Sequence, residues 1–149
     1  MAVEKLGIKA LLEPSIRKIA VANPEHAPYG RVALAVLRGT GIYDQLKSKL
    51  VFGENISQAA QFVQSGSAQA GLIALSLARA PAMKNGKRWD IPPDRYPSIE
   101  QAAVVLKSSP NKQAALAFLA FLKTPLARAT FERYGYAAPS SAQATRQKP

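Results

Sequence analysis

The chain has no cysteine and one histidine in 149 residues. Without thiols it can form no disulfide, no thiolate metal centre and no cysteine nucleophile. A lone histidine, His26, cannot supply the ligand spacing of a zinc site. No apolar run approaches the roughly 18 residues expected of a transmembrane helix. The first residues, Met1 to Leu6, include the acid Glu4 and no continuous apolar stretch, so they do not read as a signal peptide. Nothing in the chain as given explains export, although freedom from cysteine suits an oxidising compartment. Walker loops and dinucleotide fingerprints are also missing. Gly39-Thr40-Gly41 lacks the third glycine and reads as a helix stop. Acidic residues are scarce, nine against twenty Lys and Arg.

Hydrophobic residues make up 48% and charged residues 19%, an ordinary globular balance with enough apolar material for a core. The length fits one domain or two small lobes. A net charge of +11 and a pI near 10.2 invite a nucleic-acid reading. The basic residues are nevertheless scattered, at Lys47, Lys49, Arg79, Lys84, Lys87, Arg88, Arg95, Lys107 and Lys112. No dense basic run with interleaved aromatics occurs. A basic surface accounts for the charge. A basic nucleic-acid-binding module stays open as an alternative, and its signature would be steep loss of binding with salt.

Strand and helix signals alternate along the chain, which argues for α/β architecture with a mainly parallel sheet. Ile16 to Ala22 reads as a strand, and Asn23 to Pro28 as a proline-framed turn. Tyr29 to Arg38 spaces Val32, Val36 and Leu37 as a helix would, and Gly39 and Gly41 end it. Ile42 to Lys49 reads as a second, shorter helix. Leu50 to Phe52 is a short strand, followed by a helix from Asn55 or Ile56 to Gln64, with Gly66 near its C′ position. The apolar run Ala70 to Leu75 reads as a buried strand. Prolines at 81, 92, 93 and 97 exclude a long element over residues 79 to 97. Ala102 to Leu106 returns to strand character. Ser109 and Pro110 suit the N-cap and N1 positions of a helix running to about Lys123, apolar almost all round. Thr124 and Pro125 repeat that signature for a last helix through Tyr134, ended by Gly135. The segment 137 to 149 has the composition of a disordered tail.

His26 adjoins Glu25, but a catalytic histidine needs a nucleophile or carboxylate in reach, and adjacency in sequence does not supply one. A loop residue shaping the turn is the simpler reading. Glu54, Asp90, Asp94 and Glu100 show no spacing diagnostic of paired acid–base catalysis. No enzyme is expected. Tyr29 and Ile56 differ, because each falls at the first or second position of an expected helix, where backbone N–H groups lack intrahelical partners. A tetrahedral dianion could accept from both. The alternative is an ordinary helix start satisfied by water or a cap. Asn55 and Gly30 flank the two positions.

Asn23 through Gly30, Gly53-Glu54-Asn55-Ile56 and Gly71 through Ser76 together resemble the periplasmic molybdate-binding proteins of ABC transporters. So do Trp89 through Pro93, Tyr96 through Ile99, the segment Phe118 to Lys123, and Phe131 through Tyr136. The similarity runs from about Ile16 to Tyr136. It implies a class II periplasmic-binding-protein fold, in which two α/β lobes close on molybdate or tungstate. The ligand there is held by neutral hydrogen-bond donors without a metal cofactor. By position, Tyr29 and Ile56 match the family's oxyanion contacts. Some relatives carry a tyrosine ligand where this chain has Ala74; others place it where Tyr29 stands, and this chain looks like the second kind.

Family members begin with a half-lobe bearing serine, threonine or asparagine ligands, which is expected to be missing here together with the signal peptide. The resemblance therefore implies one nearly complete lobe plus the C-terminal helices of the other. The expected parts are an oxyanion-binding lobe over 1–105, helices over 106–136 that would pack on the missing lobe, and the tail 137–149. The partners implied are the oxyanion and a membrane ABC permease. Uncovered apolar helices would favour self-association. The location implied is the periplasm, or the cytoplasm if the chain is expressed as given. Weak or absent oxyanion binding is expected from half a site. A degenerate paralogue acting as a protein-interaction module is a further alternative.

Overall fold

Three short runs of small and branched residues assemble one parallel sheet in the computed structural model, which describes residues 3–137. The chain divides into two units, 1–99 and 100–149. The sequence placed this change of character after residue 105.

The first unit opens with α1 (Val3–Leu6) and a 3-10 segment over Gly7–Leu12, neither anticipated from the sequence. The rest alternates: β1 (Ile19–Ala22), α2 (Pro28–Gly39), α3 (Tyr43–Leu46), β2 (Leu50–Gly53), α4 (Ile56–Gln64), β3 (Ala70–Leu72) and α5 (Leu75–Ala78). The sheet order is β2-β1-β3, and both pairings are parallel. β1 is buried along its whole length. Because side chains alternate along a strand, β1 serves two cores at once. Ile19 and Val21 join Ala33, Leu34 and Leu37 of α2. Ala20 joins Ala59 of α4, with Phe62 and Val63 packed alongside. Helices α2 and α4 thus cover opposite faces. The alanine on the α4 side lets that helix lie close to the sheet, and the bulkier residues on the other face fill the larger core.

Several boundaries differ from the sequence reading for identifiable reasons. β1 begins at Ile19 rather than Ile16, because the Arg17 and Lys18 N–H groups donate to Gln69 Oε1 at 3.2 and 2.9 Å instead of entering a ladder. The expected helix over Ile42 to Lys49 is α3 followed by a 3-10 turn, Lys47–Lys49. The run Ala70 to Leu75 is not one strand. β3 stops at Leu72, and Ala74 caps a helical turn, Leu75–Ala78. A short apolar run suits either element, and its periodicity does not separate them. Gly66 follows α4 at φ 77°, as its expected place past the helix end requires.

The second unit carries α6 (Lys112–Phe121) and α7 (Pro125–Arg133). The strand expected over Ala102–Leu106 does not form; Val104 is 82% exposed and Leu106 66%. Branched side chains favour extended backbone, but a strand exists only beside a neighbour that takes its hydrogen bonds. Ser109 does not cap α6. Its hydroxyl accepts from Asn111 N–H at 3.2 Å, a local turn that delays the helix to Lys112. Thr124 does cap α7, accepting from Ala127 N–H at 3.4 Å, with Pro125 in the first turn. No residue of α6 is buried, and Leu116, Phe118 and Phe121 stand exposed. Residues 138–149, most of the proposed tail, lie outside the described residues.

Candidate functional site

A parallel sheet gathers the carboxyl ends of its strands on one edge. Here β1 leads to α2 on one face, and the adjacent β2 leads to α4 on the other. In open α/β sheets ligands usually bind beyond the carboxyl ends of the strands, the edge from which both helices start. The two turns singled out in the sequence follow the adjacent ends of β1 and β2. They are tied together, because Asn23 N–H donates to Gly53 O at 2.7 Å.

The first is a tight turn. The Asn23 carbonyl accepts from Ala27 N–H at 2.8 Å and His26 N–H at 3.2 Å, and its side chain accepts from Glu25 N–H at 3.0 Å. Pro28 occupies the first position of α2, where its missing N–H costs nothing. Tyr29 follows in the same first turn, half-buried, and Gly30 behind it is buried. A Cβ on Gly30 would strike the Ala22 carbonyl oxygen and come within 2.8 Å of two further backbone carbons. Only glycine lets this helix start so close to the end of β1.

The second is a capped helix start. Asn55 is the N-cap of α4, and its Oδ1 accepts from Gln58 N–H at 3.0 Å. Gln58 reaches back, accepting Glu54 N–H on its Oε1 at 2.6 Å. This reciprocal pair satisfies two of the donors near the helix end. Ile56 and Ser57 follow at the first two helical positions, whose N–H groups have no carbonyl four residues back. Breaking the cap with Asn55→Ala should lower stability by about 1 kcal/mol, read as a smaller urea midpoint with unchanged slope.

Ala74, buried, sits at the start of α5, past the end of the third strand on the same edge. The sequence reading placed it inside a strand. His26, Asp90 and Asp94, among the other polar candidates, are exposed. His26 Nε2 is 3.9 Å from Glu25 Oε2, and both side chains are mostly exposed. Asp90 is held by Arg88 at 2.7 Å and Arg79 at 3.9 Å, and Asp94 lies 3.8 Å from Arg95. No buried charged or polar side chain occurs among the described residues, nor any cluster of three potential metal ligands. At this edge the starts of α2 and α4 present backbone N–H groups and partial positive charge, the kind of group that can bind an anion.

The family model described as bacterial extracellular solute-binding protein matches residues 2–137. Over 127 residues the chain is 41% identical to the molybdate-binding protein ModA of Rhodobacter capsulatus, covering 85% of this chain and 50% of that protein. The ModA of Azotobacter vinelandii is 39% identical over the same shares. The solved periplasmic molybdate-binding protein of Azotobacter vinelandii superposes with a TM-score of 0.80 at 35% identity, covering 89% of this chain and 58% of that one. The substrate-binding domain of a putative molybdenum ABC transporter from Clostridium difficile gives a TM-score of 0.56 at 29% identity. The chain spans about half the length of the curated relatives it matches. The fold is thus α/β and of the periplasmic-binding-protein kind, and the chain belongs to the bacterial extracellular solute-binding protein family.

Proposed function

We propose that this chain is the oxyanion-holding part of a periplasmic substrate-binding protein for molybdate or tungstate, working with a membrane ABC permease. It is a binding protein, not an enzyme, and it needs no cofactor. The observation that carries this reading is the pairing of β1 with β2, which sets the turn before α2 and the turn before α4 at adjacent strand ends, with Asn23 N–H bonded to Gly53 O. Backbone N–H of Tyr29 and Ile56 are the proposed donors, with Gly30 and Asn55 setting the two helix starts. Selectivity follows from the donor set. Neutral N–H groups without an acceptor disfavour protonated phosphate, whose O–H would be left unpaired. Cavity size would separate molybdate from the smaller sulfate.

Half the donors of a closed two-lobe site cannot offset the entropy of capture well, so affinity should be weak, roughly millimolar. Amide NMR suits that regime. Titrating molybdate into the labelled chain should shift the Tyr29, Gly30, Ile56 and Ser57 amides saturably, and sulfate should leave them in place. Equal shifts with sulfate, or molybdate shifts confined to other residues of a folded sample, would count against the proposal.

A further inference from the structure

We infer that a groove at the C-terminal end of α2 is a second ligand site, for a small amphiphile with an anionic head and an apolar tail. The groove has a volume near 410 Å³, within the roughly 300–1,000 Å³ usual for small-molecule sites. Ile8, Val36, Ile42, Trp89 and Ile91 are among the residues that make it apolar. Its charged residues are Lys9 and Arg95, and no carboxylate lines it. Thr40 also lines it, but its hydroxyl already donates to Val36 O at 2.9 Å and Leu37 O at 3.1 Å. Lys9 and Arg95 are thus the charged groups able to orient a ligand, beside the indole N–H of Trp89. Arg95 is drawn only loosely to Asp94, at 3.8 Å, and Lys9 pairs with no carboxylate among the described residues. The charge pattern therefore fits an anion, and the walls fit hydrocarbon.

This ligand is not the oxyanion of the first site. A helix of twelve residues is about 18 Å long, so the groove and the proposed oxyanion donors lie at opposite ends of α2. At the groove end the helix presents carbonyls and a partial negative charge. A bare oxyanion is repelled there, and an apolar tail can lie over that end while its head reaches Lys9 and Arg95.

Trp89 is the chain's only tryptophan and its ring also packs on Gly7, so contact quenching of its fluorescence reports the groove. The probe is ω-bromoundecanoate, below its micelle concentration, with ω-bromoundecanol as the uncharged control. Saturable quenching by the carboxylate, and quenching about tenfold weaker by the alcohol, is the expected result. The double variant Lys9→Gln/Arg95→Gln should weaken it roughly tenfold, the scale of two exposed charge contacts. Both side chains are exposed, and circular dichroism checks that the variant is folded. Absence of saturable quenching from the folded chain overturns the site. Equal quenching by the alcohol, or quenching unchanged in the double variant, also overturns it, because either outcome reduces the event to unselective apolar adsorption around Trp89.

Discussion

Gly30→Ala should destabilise the protein by about 3 kcal/mol, at the upper end of overpacking effects. Helix propensity alone gives the opposite sign, because alanine in a helix is better than glycine by about 1 kcal/mol. The conflict is decided by the neighbours. The new methyl meets the carbonyl oxygen of Ala22 and, at 2.8 Å, the carbonyl carbons of Ala22 and Asn23. These are backbone atoms at the end of the central strand, so no rotamer change relieves them. Either α2 lifts from the sheet or β1 gives up its pairing with β2, which ends at the Ala22–Gly53 pair. Gly39→Ala is the internal control, because it closes the same helix and a Cβ there has nothing within 4 Å. That variant should gain about 0.5–1 kcal/mol from propensity and a less flexible unfolded chain. For a unit of this size the Gly30 variant should melt roughly 10–20 °C lower. Thermal unfolding of the two variants side by side checks both signs. A neutral Gly30→Ala would mean that α2 starts farther from β1 than the structure places it.

Much of the first unit was legible from sequence because its local and tertiary signals agree. Asn55 to Gln64 carries a cap, helical spacing and a glycine stop, and α4 forms at that place. The turn from Asn23 to Pro28 and the start of α2 were marked by paired prolines and by Asn23, whose side chain does close the turn. Where the signals were only apolar, the reading slipped. Ala70 to Leu75 has no periodicity to separate strand from helix, and the chain changes from one to the other within it. The N-terminal helical turns lack any cap or pattern, yet Leu11 and Ile16 from that region enter the core. Ala102 to Leu106 has strand composition but no neighbour among the described residues. Composition reports what a segment is able to pair with, and the pairing depends on a surface that the segment does not contain.

The candidate site was legible in a particular sense. Sequence gave the two helix starts but not their adjacency, which is a property of sheet order. With β1 between β2 and β3, α2 and α4 cover opposite faces while their turns leave adjacent strand ends. The bond from Asn23 to Gly53 is the part that no local pattern contains.

Ile56→Pro should abolish most oxyanion binding while leaving α4 intact. Proline is the one natural residue that removes a backbone N–H, and the first helical position is where it does so without breaking an intrahelical bond. The position is prepared for it. Asn55, the residue before, is extended at φ −146° and ψ 176°, the region that a following proline demands. The cap from Asn55 to Gln58 N–H lies two residues beyond and is untouched. A hydrogen bond to a charged group is worth about 1.5–3 kcal/mol, so the variant should bind molybdate about 10- to 150-fold more weakly. Ile56→Val retains the N–H and most of the half-buried side chain, and should bind like the parent. Molybdate titration read at the Tyr29 and Ser57 amides gives both numbers, and circular dichroism confirms the helix. If Ile56→Pro binds as well as Ile56→Val, the donor is not this backbone group. If both lose binding equally, the side chain shapes the site and the N–H does not hold the ligand.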